Sequence, residues 1–199
     1  MRGAAVGLSV AWTVLAAGQT AAPVTPRTSA AVIAQSAAAL GGPPRAEVKA
    51  VEQLCDKALA NYAIDTIDQV THARALYIEG YGVLITFEVD LSRVSPLVGF
   101  AGGLSKAQRD KIRENEVKRL PEFRQFVQGL AVEAVKPLEH LSPQEHLMVH
   151  VDFDYSPYED REGLPDALSL TATKKDLAGA AARKTPVDGL SSILKVKME

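Results

Sequence analysis

Residues 83–91 read Val-Leu-Ile-Thr-Phe-Glu-Val-Asp-Leu, and the alternation of their side chains is the clearest structural pattern in the chain. The odd-numbered positions are all large and apolar, whereas Thr86, Glu88 and Asp90 are polar. Successive side chains of a strand point to opposite faces of a sheet. This period of two therefore predicts a strand with one buried face and one solvated face.

Two later stretches repeat this alternation. Residues 147–155 carry apolar side chains at odd positions, and residues 168–172 carry them at even positions. Each stretch predicts a further strand with a single apolar face. Residues 75–78 predict a shorter strand before residue 83, and residues 79–82 between them either close a hairpin or bend one long strand.

Helices are predicted where apolar side chains recur at intervals of three and four residues. Residues 46–62 form the first such segment. The second begins at a capping box made by Ser105 and Gln108 and runs to about residue 140, with Pro121 as a kink or a break. Thr173 caps a short last helix.

The predicted order of elements is helix, two strands, long helix, two strands, short helix. A parallel sheet covered on both faces would contain continuous apolar runs, which these strands lack. We therefore predict an α+β fold with a mainly antiparallel sheet of about four strands and helices packed on one face. The single domain is expected over residues 46–184, and the structure of the tail, residues 185–199, is left open.

The N-terminal segment has the pattern of an export signal. Arg2 supplies a positive charge, and residues 3–17 are uncharged and largely apolar. They fall short of the roughly 20 residues that a membrane-spanning helix needs. We predict a signal peptide over residues 1–22 and a flexible spacer over 23–45, hence a periplasmic or secreted protein. An uncleaved N-terminal anchor, with membrane contact through that segment only, is the alternative.

Charge and cysteine content exclude several classes of function. The formal net charge is −2, and 22 basic side chains are interleaved with 24 acidic ones, so we expect no nucleic-acid partner. The single cysteine, Cys55, allows no internal disulfide and no zinc-ligand spacing. Its place on a predicted helix indicates a small buried side chain, and a reactive or intermolecularly paired thiol is the alternative. We predict no cofactor.

The polar face of the predicted sheet gathers most side chains that could carry chemistry. Carboxylates and imidazoles that converge there could bind a metal or share a proton. A two-layer domain also needs one solvated sheet face, and we favour this simpler interpretation. The candidate site residues are Glu88, Asp90, His146, His150, Asp152 and Asp154, with Thr171 and Thr173 from another strand.

The acidic loop after residue 152 partly matches a calcium-binding loop. Pro157 occupies the position of the required glycine, however, and Gly163 replaces the bidentate glutamate. A solvated acidic loop is the favoured interpretation. The residues that match ligand positions are Asp152, Asp154, Ser156 and Asp160.

Familiar catalytic motifs are incomplete in this chain. Ser191 lies in a partial nucleophile elbow, but Ile193 stands where the second glycine belongs. Ser192 and Lys195 fit the Ser-x-x-Lys pattern without its companion motifs. The glycine-rich loop at residues 99–103 lacks the spacing of a phosphate loop.

These observations favour a non-enzymatic, exported binding module of the cell envelope. Its partner would be an envelope protein or a small ligand, bound through the polar sheet face or the acidic loop. The alternative is a small metal-dependent or acid-base hydrolase that uses His150, Asp152 and Asp154 with Glu88 or Asp90. The hydrolase requires the strand that carries Glu88 to lie next to the strand that carries His150.

Overall fold

The computed structural model describes residues 42–63, 67–92, 105–157 and 159–199, and within them the chain forms an α+β fold. The predicted signal peptide, residues 1–22, and most of the predicted spacer lie outside the described residues. Among the described residues, none of the helices combines the length and the apolar character that crossing a bilayer requires.

Helices and a six-stranded sheet make up the described fold. In chain order, the elements are α1 (Arg45–Ala63), β1 (Asp68–Gln69), β2 (Arg74–Ile78), β3 (Gly82–Asp90), α2 (Lys106–Ala134), β4 (His146–Phe153), β5 (Ala167–Thr173), α3 (Lys174–Arg183), a 3₁₀ helix (Val187–Ser192) and β6 (Lys195–Met198).

The sheet is mixed rather than wholly antiparallel. The order β3-β4-β5-β6 forms its body, and β1 and β2 both pair with β3 on the remaining side. β3 and β4 are parallel, with α2 as the connection between them, whereas every other pair is antiparallel. The predicted α+β class is confirmed and so is the antiparallel majority. The prediction of about four strands missed β1 and β6, which are too short to show an alternating pattern.

β3 and β4 alternate although they are parallel, because only one face of their sheet is covered. Their odd-numbered side chains lie in a single core with the buried apolar side chains of the three helices. Phe123 of α2 lies at the centre of this core, edge-on to the Phe153 ring at 5.9 Å. Cys55 of α1 is fully buried, as predicted, and this burial raises the pKa of its thiol to about 12.

Predicted helix boundaries hold at the start of α2 and shift at its end. Both hydrogen bonds of the Ser105 and Gln108 capping box are present, and α2 runs through Pro121 as one helix. It ends at Ala134 rather than near residue 140. A proline disfavours helical backbone at the residue before it, and Pro137 follows the helix closely.

The C-terminal tail is part of the fold. The 3₁₀ helix places Leu190 in the core, and Leu194 is buried just before β6. β6 pairs with β5 from Lys195 opposite Thr171 onward. β6 is thus the edge strand of the sheet next to β5.

Candidate functional site

Strand pairing arranges the predicted polar face, hereafter the open face, into rows that cross the sheet. It carries the even-numbered side chains of β3 and β4. The first row joins Leu76 to Leu84 and Leu84 to Met148. We call these three residues the apolar row. Large apolar side chains are unusual on a solvated face, and Leu76 is 61% exposed. Ile78, two residues further along β2, is also an exposed large apolar side chain.

The second row of the open face is basic. Arg74, His150 and Lys197 align across the sheet, with Thr86 and Ser169 between them. We call Arg74, His150 and Lys197 the basic row. Rows separated by two strand residues are about 7 Å apart. The apolar row and the basic row are therefore close neighbours on the open face.

The third row is acidic, and it brings two of the predicted site residues together. Glu88 pairs with Asp152 across β3 and β4. The strand that carries Glu88 therefore lies next to the strand that carries His150, as the hydrolase interpretation requires. Along β4, the open face therefore changes from apolar to basic to acidic, at Met148, His150 and Asp152.

His150 is held between two hydrogen-bond partners on the open face. Its Nδ1 lies 2.8 Å from the Oγ of Ser169, and its Nε2 lies 3.2 Å from Oδ1 of Asp152. Asp152 was a predicted site residue, whereas Ser169 was not singled out. The strand alternation of residues 168–172 places Ser169 on the polar face, and this was the signal available in the sequence.

The set of Ser169, His150 and Asp152 has the composition of a hydrolase triad but not its setting. A nucleophilic serine must be reachable by substrate and must lie near donors that stabilise an oxyanion. Ser169 is only 6% exposed and sits in the middle of β5. The geometry orients the imidazole ring and leaves the serine oxygen shielded.

The remaining predicted site residues are drawn into other contacts. The His146 ring stacks on Tyr81 at a centroid distance of 5.4 Å. Asp90 accepts hydrogen bonds from the backbone nitrogen and the hydroxyl of Ser92. Asp154 lies beyond the end of β4, where its backbone nitrogen donates to the oxygen of Val89. The six predicted residues thus divide among separate surroundings.

The calcium-loop residues do not converge either. Asp160 pairs with Arg113 at 3.1 Å, and the backbone nitrogen of Ser156 donates to Glu159. A hydrogen bond from the backbone of Glu162, aided by Arg113, lowers the pKa of Asp160. In the part of the chain that the structure describes, no three His, Cys, Asp or Glu side chains are grouped to hold a metal ion.

Sequence reasoning missed an acidic cluster at the carboxyl ends of the parallel strands. Its members are Asp90, Glu116 and Glu159. Glu116 on α2 is completely buried, and neither of its carboxylate oxygens has a hydrogen-bond partner among the described residues. Burial, reinforced by the charges of Glu159 and Asp90, raises the pKa of Glu116 to about 8. Burial also raises the pKa of Glu159.

The position of Glu116 on α2 is a signal that the sequence did contain. It lies four residues after Ile112 and seven before Phe123, which is the spacing of one helix face. A glutamate in a stripe that is otherwise apolar faces the core unless the helix turns away. Burial of this carboxyl was therefore readable from the helical period.

A groove of about 680 Å³ lies between α1 and α2 on the opposite side of the molecule. Tyr62 and Phe126 stack at 4.2 Å along it. Its rim carries Lys57, Glu122 and Glu133, so its charges are mixed.

The described residues thus form an α+β domain. One face of its sheet carries rows of apolar, basic and acidic side chains, and an acidic cluster contains the buried Glu116. Comparison with protein-family models, with curated proteins and with solved structures finds no match to this chain.

Proposed function

We propose that the protein is a non-enzymatic binding module that holds a partner protein against the open face of its sheet. The observation that carries the proposal is the apolar row. Leu76, Leu84 and Met148 lie side by side on three neighbouring strands, and Leu76 is largely exposed. Contiguous apolar side chains on a solvated face are typical of an interaction surface.

The neighbouring rows indicate the chemistry of the partner. An extended segment of the partner that lies along the strands would span the step of about 7 Å between rows with two residues. An apolar side chain over the apolar row would then place the side chain two positions on near Arg74 and His150. A carboxylate there would complement the positive charge of Arg74. We therefore propose a partner segment with the pattern apolar-x-acidic.

The protected edge at β2 favours binding on the face over strand addition at that edge. The outward backbone nitrogens of Ala73 and Ala75 donate to carboxylates of α1, at 2.7 Å to Asp56 and 2.9 Å to Glu52. These groups are no longer free to pair with an added strand. The open face keeps its side chains available.

Export forms part of the same proposal. A signal peptide over residues 1–22 would deliver the module to the periplasm or the outside of the cell, so we propose an envelope protein as the partner. A flat sheet face suits a protein surface, since a small ligand generally requires a concave site.

Peptide selection tests the proposal. A random peptide library displayed on phage is selected against the full-length purified protein, and the enriched peptides are then synthesised for binding measurements. We expect an apolar-x-acidic pattern and at least about tenfold weaker binding to Leu76→Ser. Arg74→Ala should remove the preference for an acidic residue. Val117→Ser is the control, because Val117 is 48% exposed on α2, away from the open face.

Two results would contradict this function. The library could yield no enriched pattern, or the selected peptides could bind Leu76→Ser as tightly as the wild type. Binding that is lost in Val117→Ser instead would place the surface on α2.

The contacts of His150 favour a second candidate, an acid-base hydrolase that uses the open face. His150 contacts both Ser169 and Asp152, and Glu88 lies on the adjacent strand. Hydrolysis of a panel of activated esters that is abolished in His150→Ala would support this candidate.

Thermal unfolding with millimolar divalent metals tests the metal-dependent form of this hydrolase, because binding to the folded state raises the midpoint of unfolding. Neither ester hydrolysis nor a metal-induced rise is expected of a binding module.

A further inference from the structure

Glu116 is a buried carboxyl group between α2 and the sheet. It is 0% exposed, and within the part of the chain that the structure describes both of its oxygens lack a hydrogen-bond partner. Water or a partner almost always satisfies such a group in a native protein, so each exception calls for an explanation. In its ionised form, the buried group would be an uncompensated charge, which strongly favours the protonated form.

The described groups around Glu116 increase this preference. Asp90 at the end of β3, Tyr155 and Glu159 after β4, and Arg119 on α2 are the titratable or charged groups that act on it or respond to it. Three of the four carry a negative charge when ionised. The guanidinium of Arg119 donates to the backbone oxygen of Leu91 at 2.6 Å, so its hydrogen bond serves the sheet end rather than Glu116.

The other two carboxylates of the cluster converge on one hydroxyl. The Oγ of Ser92 lies 2.7 Å from Oδ1 of Asp90 and 2.9 Å from Oε1 of Glu159. A hydroxyl has a single hydrogen to donate, so it cannot donate to both oxygens. These two carboxyl groups therefore lie close together where the end of β3 meets the loop after β4, and the hydrogen bond from Arg119 to Leu91 brings α2 to the same place.

We propose that Asp90, Glu116 and Glu159 form a proton-binding site that joins the first half of α2 to the carboxyl ends of β3 and β4. The proton resides on Glu116, and its loss at alkaline pH weakens the packing of α2 against the ends of these strands. The protein is thereby sensitive to the pH of its surroundings, independently of what its open face binds.

The direction of the pH effect follows from linkage. The pKa of Glu116 is about 8 in the folded chain, against an ordinary value of 4.5. Between these values, the folded state holds a proton that the unfolded state has released, so raising the pH favours unfolding. One such proton changes the unfolding equilibrium constant by about tenfold per pH unit. The stabilising contribution of this proton is therefore fully present below pH 4.5. It declines as the pH rises and is lost once the pH passes about 8.

Unfolding at a series of pH values tests this site in the full-length chain. We expect wild-type stability to fall more steeply between pH 5 and pH 8 than that of Glu116→Gln, which stays neutral at every pH. The difference should amount to about tenfold in the unfolding constant per pH unit. Glu114→Gln is the matched control, because Glu114 is exposed on the same helix and should leave the wild-type slope unchanged.

A direct titration keeps the proposal falsifiable if Glu116→Gln fails to fold. Carbon-13 NMR of the glutamate carboxyl groups in the wild type should show one group that titrates near pH 8. Parallel pH slopes for wild type and Glu116→Gln, or titration of every glutamate below pH 6, would overturn the proposal. A rise in unfolding temperature with calcium chloride that Glu116→Gln abolishes would also overturn it, in favour of a cation site.

Discussion

Gly82, at the start of β3, shows how a single residue can be dictated by a neighbouring strand. Its φ is +133°, and a Cβ at this position would lie 2.0 Å from the backbone oxygen of His146. Both the backbone conformation and the close approach of β4 therefore require glycine. The sequence marks the position as a turn residue, whereas the structure shows a contact between parallel strands.

Replacement of Gly82 by alanine should be strongly destabilising. We expect Gly82→Ala to lower the free energy of unfolding by about 2–4 kcal/mol, since backbone strain and steric overlap add. Urea denaturation measures the change. Gly80→Ala is the matched control, because Gly80 also has a positive φ, +75°, but a Cβ at this position would meet nothing within 4 Å. Its cost should be only about 1 kcal/mol, and equal losses for the two variants would refute the steric argument.

At the level of elements, the hydrogen bonds from β2 to α1 protect an edge of the sheet. Glu52 and Asp56 accept the outward backbone nitrogens of Ala75 and Ala73. An edge strand with free donors is a template for pairing with another chain. The exposed apolar side chains of Leu76 and Ile78 would make such pairing more favourable.

Removal of one of these carboxylates should expose the edge. Glu52→Ala is expected to lower the free energy of unfolding by about 1–2 kcal/mol, because a hydrogen bond to a charged acceptor is lost. It should also increase self-association, which sedimentation velocity can follow as a function of protein concentration. Gln53→Ala, at an exposed neighbouring position on α1, serves as the control. A Glu52→Ala protein that stays as monodisperse and as stable as this control would contradict edge protection.

At the scale of the whole molecule, the C-terminal residues complete both the core and the sheet. Leu190 and Leu194 are buried, and β6 covers the outer side of β5. Contacts that join the last residues of the chain to its centre make these residues part of one cooperative unit.

Deletion of residues 187–199 should therefore destabilise the entire domain. Loss of the two buried leucines alone is expected to cost several kcal/mol, which corresponds to a fall in Tm on the order of 10 °C. Calorimetry of the shortened and full-length chains measures this difference. Lys195→Ala, at an exposed position of β6, controls for changes in the strand that leave the core intact. An unchanged Tm after the deletion would show that the tail is dispensable.

Part of the candidate site was predictable because it depends only on local periodicity. His150 and Asp152 are two residues apart on one strand, so the same alternation that identifies β4 places both on the open face. The contact of His150 with Ser169 depends on which strand lies beside β4 and in which register. No local pattern carries that information.

Local sequence patterns were enough to predict the class of fold, the helix caps and the division of the main strands into an apolar and a polar face. These features arise from side-chain period and local hydrogen bonds within a few residues. Tertiary packing was needed to show that β3 and β4 are parallel, that the apolar row lines up across three strands, and that the charges of Asp90 and Glu159 act on Glu116. Those relations join residues far apart in the chain, and they are set by the packing of α2 against the sheet as a whole.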